Sequence, residues 1–552
     1  MNIAKVRIQN FRCFHEISIP LTHIHALIGE NGCGKTTVLE AIYLATSSSQ
    51  PHLTEQDFNN ADDRDLLIEV EFDEPFLMSI QDGYTTQDIP CQKVSMAAHR
   101  RERAAPGKAF SDPFVIERFA VPIEYGVNAV PIVSTGKATV NIPSSVKKTL
   151  KGYEATRKGG TQFPFMTTRL TLQNDTVNYP NIFYFDRDRE SQATSGYNSL
   201  MQKIGKDLNW RYRKDWNQQD IESKWSEFYQ AIISTVDGTT KERVIQPICD
   251  RLKRVASIDF ANLELSILDI EQPFSRAFLS RREGTNQIEH KRFGSGISIL
   301  LAYFLLEGVS KLSKDKIIFL IDEPELHLHP QLQKCLFKEF QTSDLQTIYT
   351  TQSDCYIDIS TWNSITRFQT DYSIFPQVTA LDEIRDGQEV RHHLDEIKKF
   401  HQHQLTFFKE DNQIFFSRKC LLVEGPAEKY GIPVLAAKLG KNIPDLTIIS
   451  CNGKSKIPYY QLLCTAFGVP FFTLFDLDGK ADTAPDNTRP HMWANQAARF
   501  EFATSFEGAF GISSDTDKKA SKLLIKLVDI EPEKIPADII NAIEAIEKWS
   551  LI

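Results

Sequence analysis

Gly29-Glu30-Asn31-Gly32-Cys33-Gly34-Lys35-Thr36-Thr37 is the stretch whose reading decides the fold. The apolar run Ile24 to Ile28 before it reads as a buried strand, and Val38 to Ala45 after it reads as a helix, so the glycines sit at a strand-to-helix turn. The stretch meets the pattern G-x-x-x-x-G-K-[ST] in the context that a phosphate loop requires. Backbone N–H groups freed by glycine curl around phosphate oxygens, and the helix N-terminus adds partial positive charge. Lys35 reaches the β- and γ-phosphates, and the Thr36 hydroxyl ligates Mg²⁺. Asn31, Gly32, Gly34, Lys35, Thr36 and Thr37 are therefore the candidate ATP-binding residues.

Upstream, Ile3 to Ile8 alternates as a strand, and a second strand near Glu16 to Ile19 completes a hairpin feeding the loop. Downstream come a polar stretch from Leu53 to Asp65 and a strand from Leu67 to Phe72. Between about 75 and 180, Pro and Gly recur among short β-like runs such as Phe119 to Ile123 and Thr168 to Leu172, which reads as an insertion of irregular pattern. Ile182 to Phe185 is again apolar, Asp220 to Ala256 reads as largely helical, and Leu263 to Leu268 with Phe274 to Leu279 reads as a β-pair. A Gly294-Ser295-Gly296 turn then opens an apolar helix, Ile299 to Ser310. Ile317 to Ile321 is uninterrupted and apolar, the signature of a strand buried on both faces, and it ends in Asp322-Glu323. In a chain with a phosphate loop, such an acidic pair is where Mg²⁺ and a water-activating base belong: Asp322 holds the metal through water and Glu323 polarises the attacking water. His327 and His329 are two apart, a poor metal pair on a helix, and read as structural. Another buried run, Gln346 to Thr351, ends in Gln352-Ser353, a position for a polar side chain that senses the γ-phosphate.

With 552 residues, two or more domains are expected. Hydrophobic residues at 41% and charged residues at 24% suit a soluble globular protein. The longest apolar stretch, Ile297 to Leu306, is too short to span a bilayer, and Met1 to Phe14 lacks the apolar block of a signal peptide. Nine scattered cysteines without a C-x-x-C pair suggest neither a zinc ribbon nor a disulfide framework, so a cytoplasmic protein with reduced thiols is expected. The net charge of −9 argues against a surface basic throughout but leaves room for a local basic groove. His99 to Lys108, Lys147 to Lys158, Lys206 to Lys214 and Arg276 to Arg292 are candidate stretches, each read first as a solvated charged face. Only the third interleaves aromatics, Trp210 and Tyr212, which either stack on nucleic acid or pack in a core.

From Phe415 the character changes, after a charged stretch from Glu383 to Lys399 read as a linking helix. Cys420 to Val423 reads as a strand ending in Glu424-Gly425-Pro426-Ala427-Glu428, followed by a helix from Lys429 to Leu439. Thr447 to Ser450 is a second strand, and Pro470 to Phe475 a third, ending in Asp476-Leu477-Asp478. Carboxylates at the carboxyl ends of neighbouring parallel strands converge on one edge of a sheet. Three or four of them cannot all stay ionised without compensation, and oxygen-only ligation selects Mg²⁺ or Mn²⁺ to supply it. Glu424, Glu428, Asp476 and Asp478 are the candidate ligands, and a cation pair so held stabilises attacking and leaving oxygens in phosphodiester hydrolysis. Taken singly, Glu424-Gly425 is equally a strand-end turn and Asp476 to Gly479 equally a solvated loop.

Asn10-Phe11-Arg12, the phosphate loop, the Gly-Ser-Gly turn and Ile321-Asp322-Glu323-Pro324-Glu325-Leu326-His327-Leu328-His329-Pro330 together resemble the ABC-type ATPase head of the SMC and RecF group, over residues 1 to 72 and about 260 to 360. The resemblance implies that two heads sandwich two ATP molecules, Ser295 of one touching the nucleotide held by Lys35 of the other. It places Arg12 near the nucleotide and Gln56 as a metal-sensing loop glutamine. Similar heads carry His where this chain has Gln352, which cannot bear that charge; slow hydrolysis, or ATP serving mostly as a dimerising ligand, is implied. The two carboxylate stretches resemble the TOPRIM domain, and head plus TOPRIM is similar to the OLD family of ATP-dependent nucleases. That family implies a further acid, here Glu507, and a lysine, here Lys518, although Lys518, Lys519 and Lys522 are equally readable as solvated.

The fold expected is α/β: an ABC-type P-loop ATPase head with inserted β-rich and helical segments at 1–390, a linker at 391–414, and a small Rossmann-like TOPRIM domain with a parallel sheet at 415–552. The function expected is an ATP-regulated, divalent-metal-dependent DNA endonuclease or nickase in bacterial antiphage defence, a homodimer or higher oligomer through its heads, with DNA as substrate, a partner protein or nucleic acid that senses infection, and no membrane association. Rivals are a non-nucleolytic, RecF-like DNA repair ATPase and a TOPRIM nuclease acting on RNA or tRNA.

Overall fold

The computed structural model describes residues 1–46, 53–59, 65–82, 85–100, 114–123, 130–131, 180–186, 246–256, 263–266, 278–283, 286–289, 295–313, 316–326, 328–376, 384–385, 388–389, 392–396, 399, 409–443, 446–512 and 519–551. They form two compact units, one of Met1–Leu27 with Gly32–Tyr356, the other of Ile28–Asn31 with Ile357–Ile552.

In the first unit, β1 (Ile3–Phe11) and β2 (Phe14–Pro20) pair antiparallel, with Val6 opposite Ile19 and Ile8 opposite Ile17. Their alternation buries Val6, Ile8, Ile17 and Ile19 on one face. β3 (Ile24–Gly29) runs into the phosphate loop, and α1 (Lys35–Thr46) follows, burying Val38, Leu39, Ala41, Ile42 and Ala45. β4 (Leu66–Asp82), β5 (Thr85–Arg100), β6 (Phe114–Pro122) and β7 (Val130–Pro131) then extend the β1–β2 sheet in the order β2-β1-β4-β5-β6-β7. The start of the expected irregular insertion is therefore a regular antiparallel meander. A register shift between Glu71 and Phe76, where Pro75 cannot donate to the ladder, interrupts the alternation that pattern reading depends on.

β8 (Asn181–Phe185), helix Gln246–Ala256, and a three-stranded antiparallel sheet of β9 (Leu263–Ser266), β10 (Phe278–Glu283) and β11 (Asn286–Glu289) come next. The expected β-pair is present, with Ser266 opposite Phe278, while the expected helix before Gln246 and the Thr168 to Leu172 run lie outside the described residues. Helix Ser295–Ser313 leads to β12 (Ile317–Ile321), helix Pro330–Thr342 and β13 (Gln346–Thr350). Strands β3, β13, β12 and β8 lie side by side, all parallel, and every residue of β12 and β13 is buried. Even His25 is enclosed, and burial holds its imidazole neutral, lowered to about 3.

The second unit opens with β14 (Ile365–Phe368) and β15 (Ile374–Phe375), an antiparallel pair. β16 (Ile384–Arg385) and β17 (Gln388–Glu389) form a small hairpin where a linking helix was expected; residues 392–396 are helical. β18 (Lys419–Val423), β19 (Leu446–Ser450), β20 (Phe471–Asp476) and β21 (Arg499–Phe502) make a four-stranded parallel sheet in the order β19-β18-β20-β21. Leu421, Val423, Phe472 and Leu474 from its centre pack with Leu435, Phe506, Leu527 and Ile543 from the covering helices. Helix Pro426–Lys438 approaches closely because Gly431 carries no side chain: a Cβ there would lie 3.1 Å from both Leu527 and Phe506. No described helix is long and apolar enough to cross a membrane, and all nine cysteines are free thiols.

Candidate functional site

The nucleotide half is built at the carboxyl ends of β3, β12 and β13. Gly32 and Gly34 take φ of +80° and +95°, the left-handed region that glycine enters without steric cost. Lys35 is buried, its Nζ 3.7 Å from Cys33 Sγ, and Thr37 hydrogen-bonds the Cys13 thiol. Thr36 donates to both oxygens of Asp322, at 3.0 and 3.2 Å, so the hydroxyl and carboxylate expected to share Mg²⁺ are in contact. Thr350, at the end of β13, donates to Asp322 and accepts the Glu323 N–H at 2.9 Å, aligning both acids. Glu323 has φ of +49°, a strained backbone for a non-glycine residue. Its carboxylate accepts from Gln352 Nε2 at 2.7 Å, while Gln352 N–H donates to Glu325 at 2.6 Å. The proposed base and the proposed γ-phosphate sensor are thus joined directly.

Arg12, also left-handed at φ +49°, donates to Asp57 at 2.9 Å and to Glu40. Gln56 is exposed on the short turn Glu55–Asp57 beside that ion pair. Asn31 lies on the loop between β3 and α1. Ser295 begins its helix, but its side chain lies outside the described residues, as do His327, Lys518, Trp210 and Tyr212. His329 caps helix Pro330–Thr342, accepting from Gln331 N–H, a structural place.

The second half is built at the carboxyl edge of the β18–β21 sheet. Glu428, Asp476 and Glu507 each bring a carboxylate oxygen within 4.8 Å of the others. Helix Pro426–Lys438 supplies Glu428, whose Oε2 accepts the Gly425 N–H at 3.0 Å. β20 ends in Asp476, whose Oδ1 accepts the Phe506 N–H at 3.2 Å. The short helix Phe506–Ala509 supplies Glu507. Glu424, at the end of β18, accepts the Asp476 N–H at 3.4 Å. Burial and the neighbouring charges of Glu428 and Glu424 push Asp476 up to about 9, burial with Glu507 and Glu424 pushes Glu428 up to about 7, and burial raises Glu424. Burial and mutual repulsion outweigh the one lysine beside Glu424, Lys454, and an oxygen-liganded divalent cation such as Mg²⁺ or Mn²⁺ fits such a group.

Asp478 does not join these three. It is about half exposed, at φ +56°, and its carboxylate meets Lys454 Nζ at 2.7 Å. Lys454 was not singled out in the sequence. Its signal is Asn452-Gly453-Lys454 immediately beyond β19, a turn at the same sheet edge as the acids. Asp482, His491 and Glu501 form another ligand-spaced group, but Glu501 Oε1 already accepts from Arg499 at 2.9 Å and meets His491 at 2.8 Å, so Arg499 already neutralises it.

The family described as AAA ATPase domain matches residues 1–105 and 131–357, and the family described as overcoming lysogenization defect protein-like, TOPRIM domain, matches residues 415–478. A protein named OLD nuclease from Thermus scotoductus (strain ATCC 700910 / SA-01) is 23% identical over 570 residues, covering 96% of each chain. Among solved structures, an SMC head bound to the C-winged helix domain of ScpA has 13% identity and a TM-score of 0.34, covering 68% of this chain and 96% of that one. An SMC head with extended coiled coil from Pyrococcus furiosus has 14% identity and a TM-score of 0.33, covering 67% and 94%.

Proposed function

We propose, from the premise that this chain belongs to the AAA ATPase domain family and ends in an OLD-like TOPRIM domain, that it is an ATP-regulated, divalent-metal-dependent nuclease that hydrolyses phosphodiesters in DNA. The observation that carries this reading is the convergence of Glu428, Asp476 and Glu507, with Glu424 hydrogen-bonded to Asp476. The first three would hold Mg²⁺ or Mn²⁺. When bound, that cation supplies charge stabilisation at the scissile phosphate and acidifies an attacking water. Glu424, oriented by the Asp476 N–H and raised by burial, would accept the proton of that water. In the ATPase half, Lys35 and the phosphate loop bind the nucleotide, and Glu323, held by Gln352, directs the water that attacks it. Two heads closing on ATP, with Ser295 reaching the partner's nucleotide, would couple the halves, and a role in defence against phage follows the OLD resemblance.

The test is nicking of supercoiled plasmid in Mg²⁺ or Mn²⁺ by the native protein, Glu424→Ala and Asp476→Ala. Nicking by the native protein alone is expected. Equal nicking by all three removes the site assignment, and cleavage of RNA with DNA left intact replaces the substrate. Light scattering of Glu323→Gln with ATP is expected to report at least a dimer, and Lys35→Ala a smaller species.

A further inference from the structure

Two left-handed turns meet beside the acid group. Asn452 has φ of +53° and Gly453 +123°, while Asp478 has +56°. Each turn is tied down by backbone bonds, Gly453 N–H to Glu424 at 2.9 Å and Asp478 N–H to Thr504 at 2.9 Å. Between them Lys454, only 10% exposed, places Nζ 2.7 Å from Asp478 Oδ2 and 3.0 Å from Asn487 Oδ1. Asn487 is fully buried, and its Nδ2 donates to Leu477 at 3.3 Å and Ala481 at 3.0 Å, which turns Oδ1 toward the ammonium. Carboxylate and oriented amide thus form a built cradle for one cation, and the protein's own lysine is in it. Strained turns held by surrounding bonds at such a place are characteristic of functional sites.

We infer that Lys454 is the resident counter-ion of Asp478: a positioning residue that holds the Asp478 carboxylate in place, so that the unit rests with a place for one divalent cation at Glu428, Asp476 and Glu507, and a second cation binds at Asp478 only in exchange for the lysine. This rests on the nuclease reading of the acid group. It also replaces the expectation that Asp478 belongs to a metal pair from the start. Exchange of the ammonium for a divalent ion adds one positive charge at this place, which an incoming phosphate balances, and leaves Lys454 to turn toward that phosphate.

The test titrates the full chain with Mn²⁺, read by electron paramagnetic resonance. Lys454→Met is expected to bind a second Mn²⁺ on the order of tenfold more tightly than the native chain, the gain to vanish in Lys454→Met/Asp478→Asn, and Lys454→Arg to behave as native. No gain, or a gain that survives Asp478→Asn, overturns the inference. A measurement on the native chain needs no variant: acylation of Lys454, followed by peptide mass spectrometry, is expected to rise as the second Mn²⁺ binds, and unchanged acylation overturns it. Asp476→Asn separates the two readings. It is expected to remove the first, tight Mn²⁺; if that ion stays, the acid group has been misassigned, whereas its loss without any Lys454 effect overturns only the exchange.

Discussion

Gly34 has no room for a side chain: a Cβ would sit 2.4 Å from Phe14 Cζ and 2.8 Å from Cys13 Sγ, on a backbone with φ of +95°. Gly34→Ala is therefore expected to cost more than the ~1 kcal/mol of an ordinary left-handed penalty and to abolish ATP binding in equilibrium dialysis. Its neighbour Gly32 meets nothing within 4 Å at the same position, so Gly32→Ala is strained but not crowded and is expected to retain more stability. Gln352 makes a different prediction. Its amide holds Glu323 at 2.7 Å and its N–H is held by Glu325, so Gln352→Ala is expected to lower the kcat of ATP hydrolysis by about 10- to 100-fold while ATP affinity changes little. The residue types in the phosphate loop were legible because chemistry requires them at that spacing. Thr350, which aligns Asp322 and Glu323, was not, because a threonine ending an apolar strand carries no pattern of its own.

At the scale of elements, the parallel strands other than β21 were read within a residue or two, since an apolar run bounded by polar turns has few other uses, whereas β21, with Arg499 and Glu501 in its four residues, offers no such run. The ribbon of β4 to β6 was not, because its bulge breaks the period of two. The element that matters most to the acid group is also the shortest. Helix Phe506–Ala509 presents Glu507 and the Phe506 N–H, and Ser505 caps it by accepting the Gly508 N–H at 2.9 Å. One turn of helix has little stability of its own. Ser505→Ala is expected to destabilise the protein by about 1 kcal/mol in denaturant titrations and to weaken Mn²⁺ binding measurably, although Ser505 is not itself a proposed ligand. An unchanged Mn²⁺ affinity would show that Glu507 needs no such support.

For the whole molecule, the acid group links stability to pH. Asp476 rises from 3.8 to about 9 and Glu428 from 4.5 to about 7 on folding. Between these limits the folded chain holds protons that the unfolded chain has released, so metal-free stability falls as pH rises from about 4 to 9. The slope is at most ~1.4 kcal/mol per pH unit for each group. Melting curves without metal are expected to shift downward from pH 5 to pH 8, and Mn²⁺ to reverse the shift, increasingly so at higher pH because binding releases those protons. A metal-free melting temperature that climbs across this window would contradict the picture. The sequence by itself determined the two chemistries and their order along the chain, because a phosphate loop, an acidic pair after a buried strand and carboxylates after parallel strands are local patterns with local causes. Only the tertiary structure decided which carboxylates lie together. Glu428, Asp476 and Glu507 come from a helix, a strand end and a short helix whose packing brings them together, and Asp478, two residues from Asp476, is turned aside to Lys454 by a left-handed backbone that no residue pattern announces.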